Sequence, residues 1–484
     1  MRKTALLLSA TLVLSIFTCL ISCKDKSGNI TEYQIDAKFD GKVLTATQTV
    51  DYYNDTETAI EKLEFNLYGN AYRKDAKYSP VSIHTVAQSY PDGISYGDMQ
   101  INQVMVSGEK AEFLVEGKDL NLLTVELGKE IFPEERVLVD IDFTLNLANV
   151  VSRTGINRHT VNLGNFYPIL CARNQNGFYE CNYYSVGDPF FSDCANYQVT
   201  LTTNSDYTVA TSGKRISVLE QGGKVTQTYK INNARSFAMV LSKEFECITD
   251  NSTGTEINYY YYKDDNPIKS MEYAVKSMNY FEKTFGEYVY ETYSVVQTGF
   301  VQGGMEYPAL VMINGDLEAG AYGEVIVHET AHQWWQVAVG NNEIEYGFLD
   351  EGLAEYSVVL FFENHPEYGM KRENLVEVSE KTFKSFCTVY DKLFGAVNTS
   401  MLRSLKDFSG EYEYVNIAYI KPCIMYEYLR KTAGEERFFK GLKKYYEQYK
   451  FKNAEPYDVV GVFEKVGADA NGYFDTFYTG KEII

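Results

Sequence analysis

Two textures divide the chain. From about residue 31 to 245, apolar and polar residues alternate, as in YQIDAKF, KVLTATQTV, RVLVDIDFTLNL, YQVTLTT and KVTQTYKI, with Gly, Asn and Asp turns between them. A side-chain period of two marks strands with one buried face. This stretch therefore predicts a β-rich region with at least one exposed sheet face and no long helix. From about 256 the texture changes. INYYYY predicts a short strand, and NPIKSMEYAVKSMNYFEKTFG predicts a helix with Pro267 in its first turn and a glycine stop. SVVQTGF and GGMEYPALVMI then read as two strands, and most of the remainder as helix. The boundary falls near 245–256.

The N-terminus has its own pattern. MRK is followed by the apolar run ALLLSATLVLSIFTCLIS, the length of an export signal or a marginal membrane span. It ends in Leu20–Cys23, LISC, and turns polar at once. That tetrapeptide resembles a bacterial lipobox, which implies lipidation of Cys23 and an extracytoplasmic body held to a bacterial membrane by an N-terminal lipid anchor. The alternative is an uncleaved signal anchor.

Composition narrows the classes. The 484 residues leave room for roughly two to four domains. A formal net charge of −21 argues against nucleic acid as a partner, since little positive charge is available to neutralise phosphates. The 41 tyrosines fit a strand-rich surface and core. Of eight cysteines, Cys19 and Cys23 belong to the export segment. The remaining six permit disulfides outside the cytoplasm, and Cys171, Cys181 and Cys194 lie close enough in sequence to expect a pair among them. No C-x-x-C occurs, which argues against a structural zinc cluster.

The chemistry lies in VIVHETAHQWWQ. Only five histidines occur in the chain, and two of them, His328 and His332, stand four apart here. Glu324 to Val339 predicts a helix preceded by Gly320 and Gly323 and ended by Gly340. Residues four apart share a helix face with Cβ atoms about 5–6 Å apart. Two imidazoles so placed can share a zinc ion at about 2.0–2.1 Å, with Glu329 beside them as a proton acceptor. In FLDEGLAEY, Glu351 near the start of a second helix offers the third ligand, which leaves a fourth position open as in catalytic sites. Glu355, one turn further, either orients a histidine or is a solvated helix-face acid.

HETAH with Glu351 resembles the gluzincin peptidases, specifically the aminopeptidase N family. GGMEYP, Gly303–Pro308, resembles that family's edge strand, and YIKPCIMYEYLRKTAGEERFFKGLKKYY its tyrosine-bearing helix pair. FYPIL followed by SVGDPFFSDCANYQVTLTT echoes its β region. The resemblance implies a multidomain fold, with an N-terminal all-β domain (31–245) followed by a thermolysin-like α+β catalytic domain (246–484) and the C-terminal helical domain absent. A signal peptide (1–22) and a polar tether (23–30) precede them. It implies one zinc per chain on His328, His332 and Glu351, with Glu329 as general base and Tyr419 as oxyanion donor. Gly303 and Gly304 let substrate backbone lie along the strand, and Glu306 meets the α-amine, unless it is a plain strand-end acid.

The implied activity is a zinc metallopeptidase removing N-terminal residues from peptides through zinc-activated water. The alternatives are a zinc endopeptidase or other zinc hydrolase, and a catalytically silent peptide-binding surface lipoprotein. Two departures bear on strict aminopeptidase specificity. Tyr307 stands where the family often has asparagine, and the β region has no clear match to the glutamine that many members add to amine binding. GISYG, Gly93–Gly97, fits the G-x-S-x-G nucleophile pattern but follows a turn and precedes a strand-like run, which argues against serine catalysis.

Overall fold

The structure is a computed structural model that describes residues 29–174, 177–468 and 472–480. The predicted signal peptide, Cys23 and the tether up to residue 28 lie outside the described residues. In Glu32–Phe39 the predicted alternation is realised residue by residue, every second side chain buried. Val43–Tyr53 folds back on it antiparallel, and Ala195–Asn204 runs parallel on its other side with Ile35 opposite Val199. These three form the middle of an eight-stranded sheet. Its buried face carries Ile35, Phe39, Leu44, Val139, Ile141 and Val199, each stabilising the fold by about 1.5–3 kcal/mol through removal from water. Two four-stranded sheets and one two-stranded sheet complete the described β-rich part. Among the described residues from 32 to 242, helix is confined to the turns Tyr68–Tyr72 and Val86–Ser89. Gly93–Gly97 lies in a loop leading into the strand Asp98–Val106, the context the sequence predicts.

The C-terminal part opens with a five-stranded sheet in the order 246–250, 256–261, 292–298, 310–314 and 304–307. The helix Pro267–Phe285 crosses between its parallel strands, capped by the Asn266 side chain and stopped at Gly286. GGMEYPALVMI is not one strand but a hairpin, Gly304–Tyr307 antiparallel to Leu310–Asn314. Pro308 cannot donate to a ladder, and Ala309 at φ 57° turns the chain back.

The histidine helix also differs from expectation. It runs Ala319–Ala331, so Gly320 and Gly323 lie inside it. Gly323 is required there, because a Cβ would come within 2.4 Å of the Tyr273 ring on the neighbouring helix. The helix ends at His332 rather than Gly340. The chain then tightens into turns with Gln336 at φ 102°, and Trp334 and Trp335 fill the core instead of continuing a helical face.

Among the described residues from Ala319 to Tyr478 the chain is mostly helical, as the sequence pattern predicts for this stretch. No described helix is long and apolar enough to cross a membrane. The six cysteines of the described residues are unpaired thiols, so the expected pair among Cys171, Cys181 and Cys194 is not formed. Cys181 Sγ is directed instead to the Tyr179 carbonyl, 3.9 Å away.

Polar contacts join the two parts. Thr298 Oγ1 donates to Asn162 Oδ1 at 2.5 Å, and Tyr307 Oη donates to Asn165 Oδ1 at 2.9 Å. Arg235 donates to the carbonyls of Val337 and Lys452 at 3.2 and 2.7 Å.

Candidate metal centre and peptide site

His328 and His332 project from the end of the Ala319–Ala331 helix, and Glu351 from the first turn of Phe348–Asn364. The two imidazole Nε2 atoms are 3.0 Å apart, and Glu351 Oε2 lies 3.3 Å from His328 Nε2 and 3.2 Å from His332 Nε2. Three ligands about 2.0–2.1 Å from a tetrahedral zinc stand roughly 3.3 Å from one another. The triad has the edge lengths of a zinc site. His332 Nδ1 donates to the Trp335 carbonyl at 2.9 Å, which fixes the tautomer that leaves Nε2 free to bind metal. His328 Nδ1 lies 3.4 Å from Glu355, so that acid can orient the ring.

The electrostatics ask for a cation. Burial opposes charging of His328, yet hydrogen bonds to Glu351 and Glu355 outweigh it and hold the imidazole at about 10. Burial likewise opposes ionisation of Glu351, but His332 and His328 pull it down to about 2. Without a metal, these carboxylates hold protons on the histidines, and a divalent cation supplies that positive charge in their place. The residues fit a zinc ion.

Glu329 is buried beside the triad, with Oε2 unpartnered. Burial pushes its carboxyl up to about 7 against the pull of His328 and His332, the range of a general base near neutrality. A cleft of about 330 Å³ reaches this group past Asp188, Gly303, Gly304, His328 and Tyr419.

Tyr419 sits in a π-helical turn, Val415–Ile420. Its hydroxyl donates to Glu351 Oε1, and its ring stacks on His328 with centroids 5.9 Å apart. Tyr414 lines the same cleft and packs edge-on against Tyr419, whereas Tyr412 is exposed.

Glu306 lies on the edge strand and is 4% exposed, with Oε1 unpartnered. Burial raises its carboxyl well above the usual range, with the charge of His332 opposing. Gln333, next to His332, ties this strand to the histidine helix: its Nε2 donates to the Tyr307 carbonyl at 3.1 Å and its Oε1 accepts from Ala309 N at 2.9 Å. Tyr307, on the opposite strand face, points to Asn165. The departure from asparagine is thus a packing contact with the β-rich part.

Three acids about the site were not singled out from sequence. Asp188, from the loop before Ala195–Asn204, is paired with Arg153, which also donates through Nε to Met305 Sδ at 3.0 Å. Glu343 and Asp350 are 2% exposed. SVGDPFF and FLDEGLAEY contain two of these residues, but no local spacing connects Asp188 to a site more than a hundred residues away.

A zinc-binding HExxH helix, a glutamate ligand on the following helix and an edge strand alongside define the gluzincin class of site. Residues 269–477 match the Peptidase family M1 domain, in line with the resemblance to the aminopeptidase N family. Aminopeptidase B of Rattus norvegicus is 28% identical over 195 residues, covering 36% of this chain and 27% of that protein. The alanine/arginine aminopeptidase of Saccharomyces cerevisiae is 26% identical over 308 residues, covering 57% of this chain and 33% of its own. The chain thus spans about a quarter to a third of the length of these curated relatives. An M1 zinc metallopeptidase from Deinococcus radiodurans has a similar fold, with a TM-score of 0.67 over 94% of this chain and 95% of that one at 14% identity. A mutant of that enzyme bound to a Tyr-Ser-Ala substrate superposes with the same score, identity and coverage.

Proposed function

We propose that the protein is a zinc-dependent aminopeptidase. The observation that carries this reading is the buried carboxylate of Glu306, which lies near His332 of the metal triad and whose Oε1 has no partner. A zinc ion on His328, His332 and Glu351 supplies Lewis-acid polarisation of a carbonyl and acidifies water. Glu306 accepts hydrogen bonds from the substrate α-ammonium and so places the first peptide bond at the triad. Glu329 takes the proton of the attacking water and returns it to the leaving amine. Tyr419 turns its hydroxyl from Glu351 to the developing oxyanion, where a neutral donor suffices. Gly303 and Gly304 leave the edge strand open to an extended substrate backbone. A silent peptide-binding role finds no support, since ligands, base and donor stand together. The same proposal includes a lipid tether at Cys23 outside the cytoplasm, which fatty-acid incorporation that is lost in Cys23→Ser would test.

The experiment is kcat/KM for matched peptides with free and acetylated N-termini, with product masses. An aminopeptidase cleaves the free peptide at its first bond and the acetylated one poorly. Equal rates with internal cleavage would instead identify a zinc endopeptidase.

A further inference from the structure

The eight-stranded sheet ends on one side in Lys214–Gln221 and on the other in the two-residue strand Glu109–Lys110. An outermost strand carries a row of N–H and C=O groups with no partner in its sheet, and proteins usually blunt it by making it short or charged. Glu109–Lys110 is both. Lys214–Gln221 is eight residues long and uncharged in its middle; among the described residues the next longest outermost strand is Glu246–Asp250, with five. All eight of its side chains are exposed, whereas its neighbour Lys224–Ala234 has a buried face, so the strand overhangs the core. Ile216, Val218 and Leu219 are 54%, 53% and 64% exposed.

The hairpin fixes which groups point outward. Gly222 and Gly223, at φ 59° and 75°, make a two-residue turn that Gln221 closes opposite Lys224. Hydrogen-bonded pairs recur at every second residue of an antiparallel ladder. Leu219 and Ser217 therefore also turn their amides to the neighbouring strand, and Val218 and Glu220 turn theirs outward. Val218 and Glu220 stand opposite Gln227 and Val225. A bulge between Arg215 and Ser217 brings Arg215 onto the same face, where it donates to Gln227 Oε1 at 3.1 Å.

The strand KRISVLEQ is basic at one end, acidic at the other and apolar between. Lys214 is engaged by Glu291 at 2.6 Å, but neither Arg215 nor Glu220 forms an ion pair among the described residues. We propose that this edge pairs with the same edge of a second copy, antiparallel about a two-fold axis at Val218, and joins the two large sheets into one. That register sets outward amides against outward amides and Leu219 opposite Ser217. It brings Glu220 of each copy beside the other's bulge, where Arg215 on the same face is an ion-pair partner. Opposite charges across a strand pair stabilise it and like charges oppose it, so the antiparallel arrangement is favoured over the parallel one. A two-fold pairing also covers the edge on both copies, so association stops at a dimer. No residue of this strand lines the cleft, so the proposal stands apart from the aminopeptidase reading.

The test is sedimentation of the full chain over a concentration series, in reducing buffer so that the exposed Cys247 does not link copies. Wild type is expected to pass from monomer to dimer as concentration rises, with the weak association of a small interface. Val218→Lys sets two like charges against each other at the axis and should raise the dissociation constant at least about tenfold. Arg215→Glu and Glu220→Arg should each weaken the dimer as well. The two together should restore it, a recovery that a merely adhesive apolar patch does not give. An unchanged circular dichroism spectrum in each variant checks that these surface changes leave the fold intact. A monomer at every concentration would overturn the proposal. So would a dimer indifferent to all three substitutions, a double variant no better than either single one, or growth beyond a dimer.

Discussion

Glu329 packs directly on Gly304: a Cβ at residue 304 would lie 2.4 Å from Glu329 Oε1. The edge strand and the candidate base are therefore fitted to one another, and the glycine has a use beyond admitting substrate. Since the colliding atoms belong to a movable carboxylate end, Gly304→Ala should fold and bind zinc normally while displacing Glu329. The expected result is a fall in kcat of about tenfold or more, the scale of a misplaced proton acceptor, with Tm within a degree or two of wild type. Full activity would show that Glu329 works from another position.

The metal and the base separate by substitution. Wild type should hold one zinc per chain by elemental analysis, His332→Ala should lose it, and Glu329→Ala should keep it, with peptide hydrolysis abolished in both. Near-normal turnover in Glu329→Ala would refute the assigned proton transfer.

Tyr419 and Tyr414 line the same cleft, but Tyr419 alone donates to Glu351. Tyr419→Phe should lower kcat by about 10²–10³ with little change in KM, the usual effect of removing one oxyanion donor. Tyr414→Phe should cost much less. Steady-state kinetics with parallel zinc analysis decides between them, and a reversed order would make Tyr414 the donor.

Glu413 offers a test of pH-dependent stability away from the metal. Burial disfavours its charge, but bonds from Ser409 and Arg403 outweigh that and hold its carboxyl below the usual value. A depressed folded pKa gives stability that is present above about 4.3, the unfolded value, and is lost as pH falls through the folded one. Glu413→Gln should therefore cost about 1–3 kcal/mol at pH 7 and progressively less below pH 4. Denaturant titrations at both pH values measure it. An equal cost at both would mean that the charge is not what matters.

What could be read from the sequence was local. His328 and His332 stand out because four residues make one helical turn, and the helix at 267–285 because Asn266, Pro267 and Gly286 punctuate it. Glu351 came from its place near the start of the next helix. WWQVAV continues an apolar run and so extends the predicted histidine helix, whereas these residues are buried as turns rather than as a helix face. The edge hairpin is hidden in the sequence because GGMEYPALVMI reads as one apolar run, with Pro308 as the only sign of the turn. Arg153, Asp188 and Glu343 have no shared period or motif, since only the tertiary fold brings them to the triad.

Asp188 reaches the cleft from the β-rich part, while the three zinc ligands, Glu329 and Tyr419 all come from the helical part. The candidate metal ligands, base and donor and one wall of the cleft are thus encoded more than a hundred positions apart. The wall that an entering ligand meets is therefore written in a different stretch of sequence from the metal-ligand set, so the two can vary separately in sequence although they share one cleft.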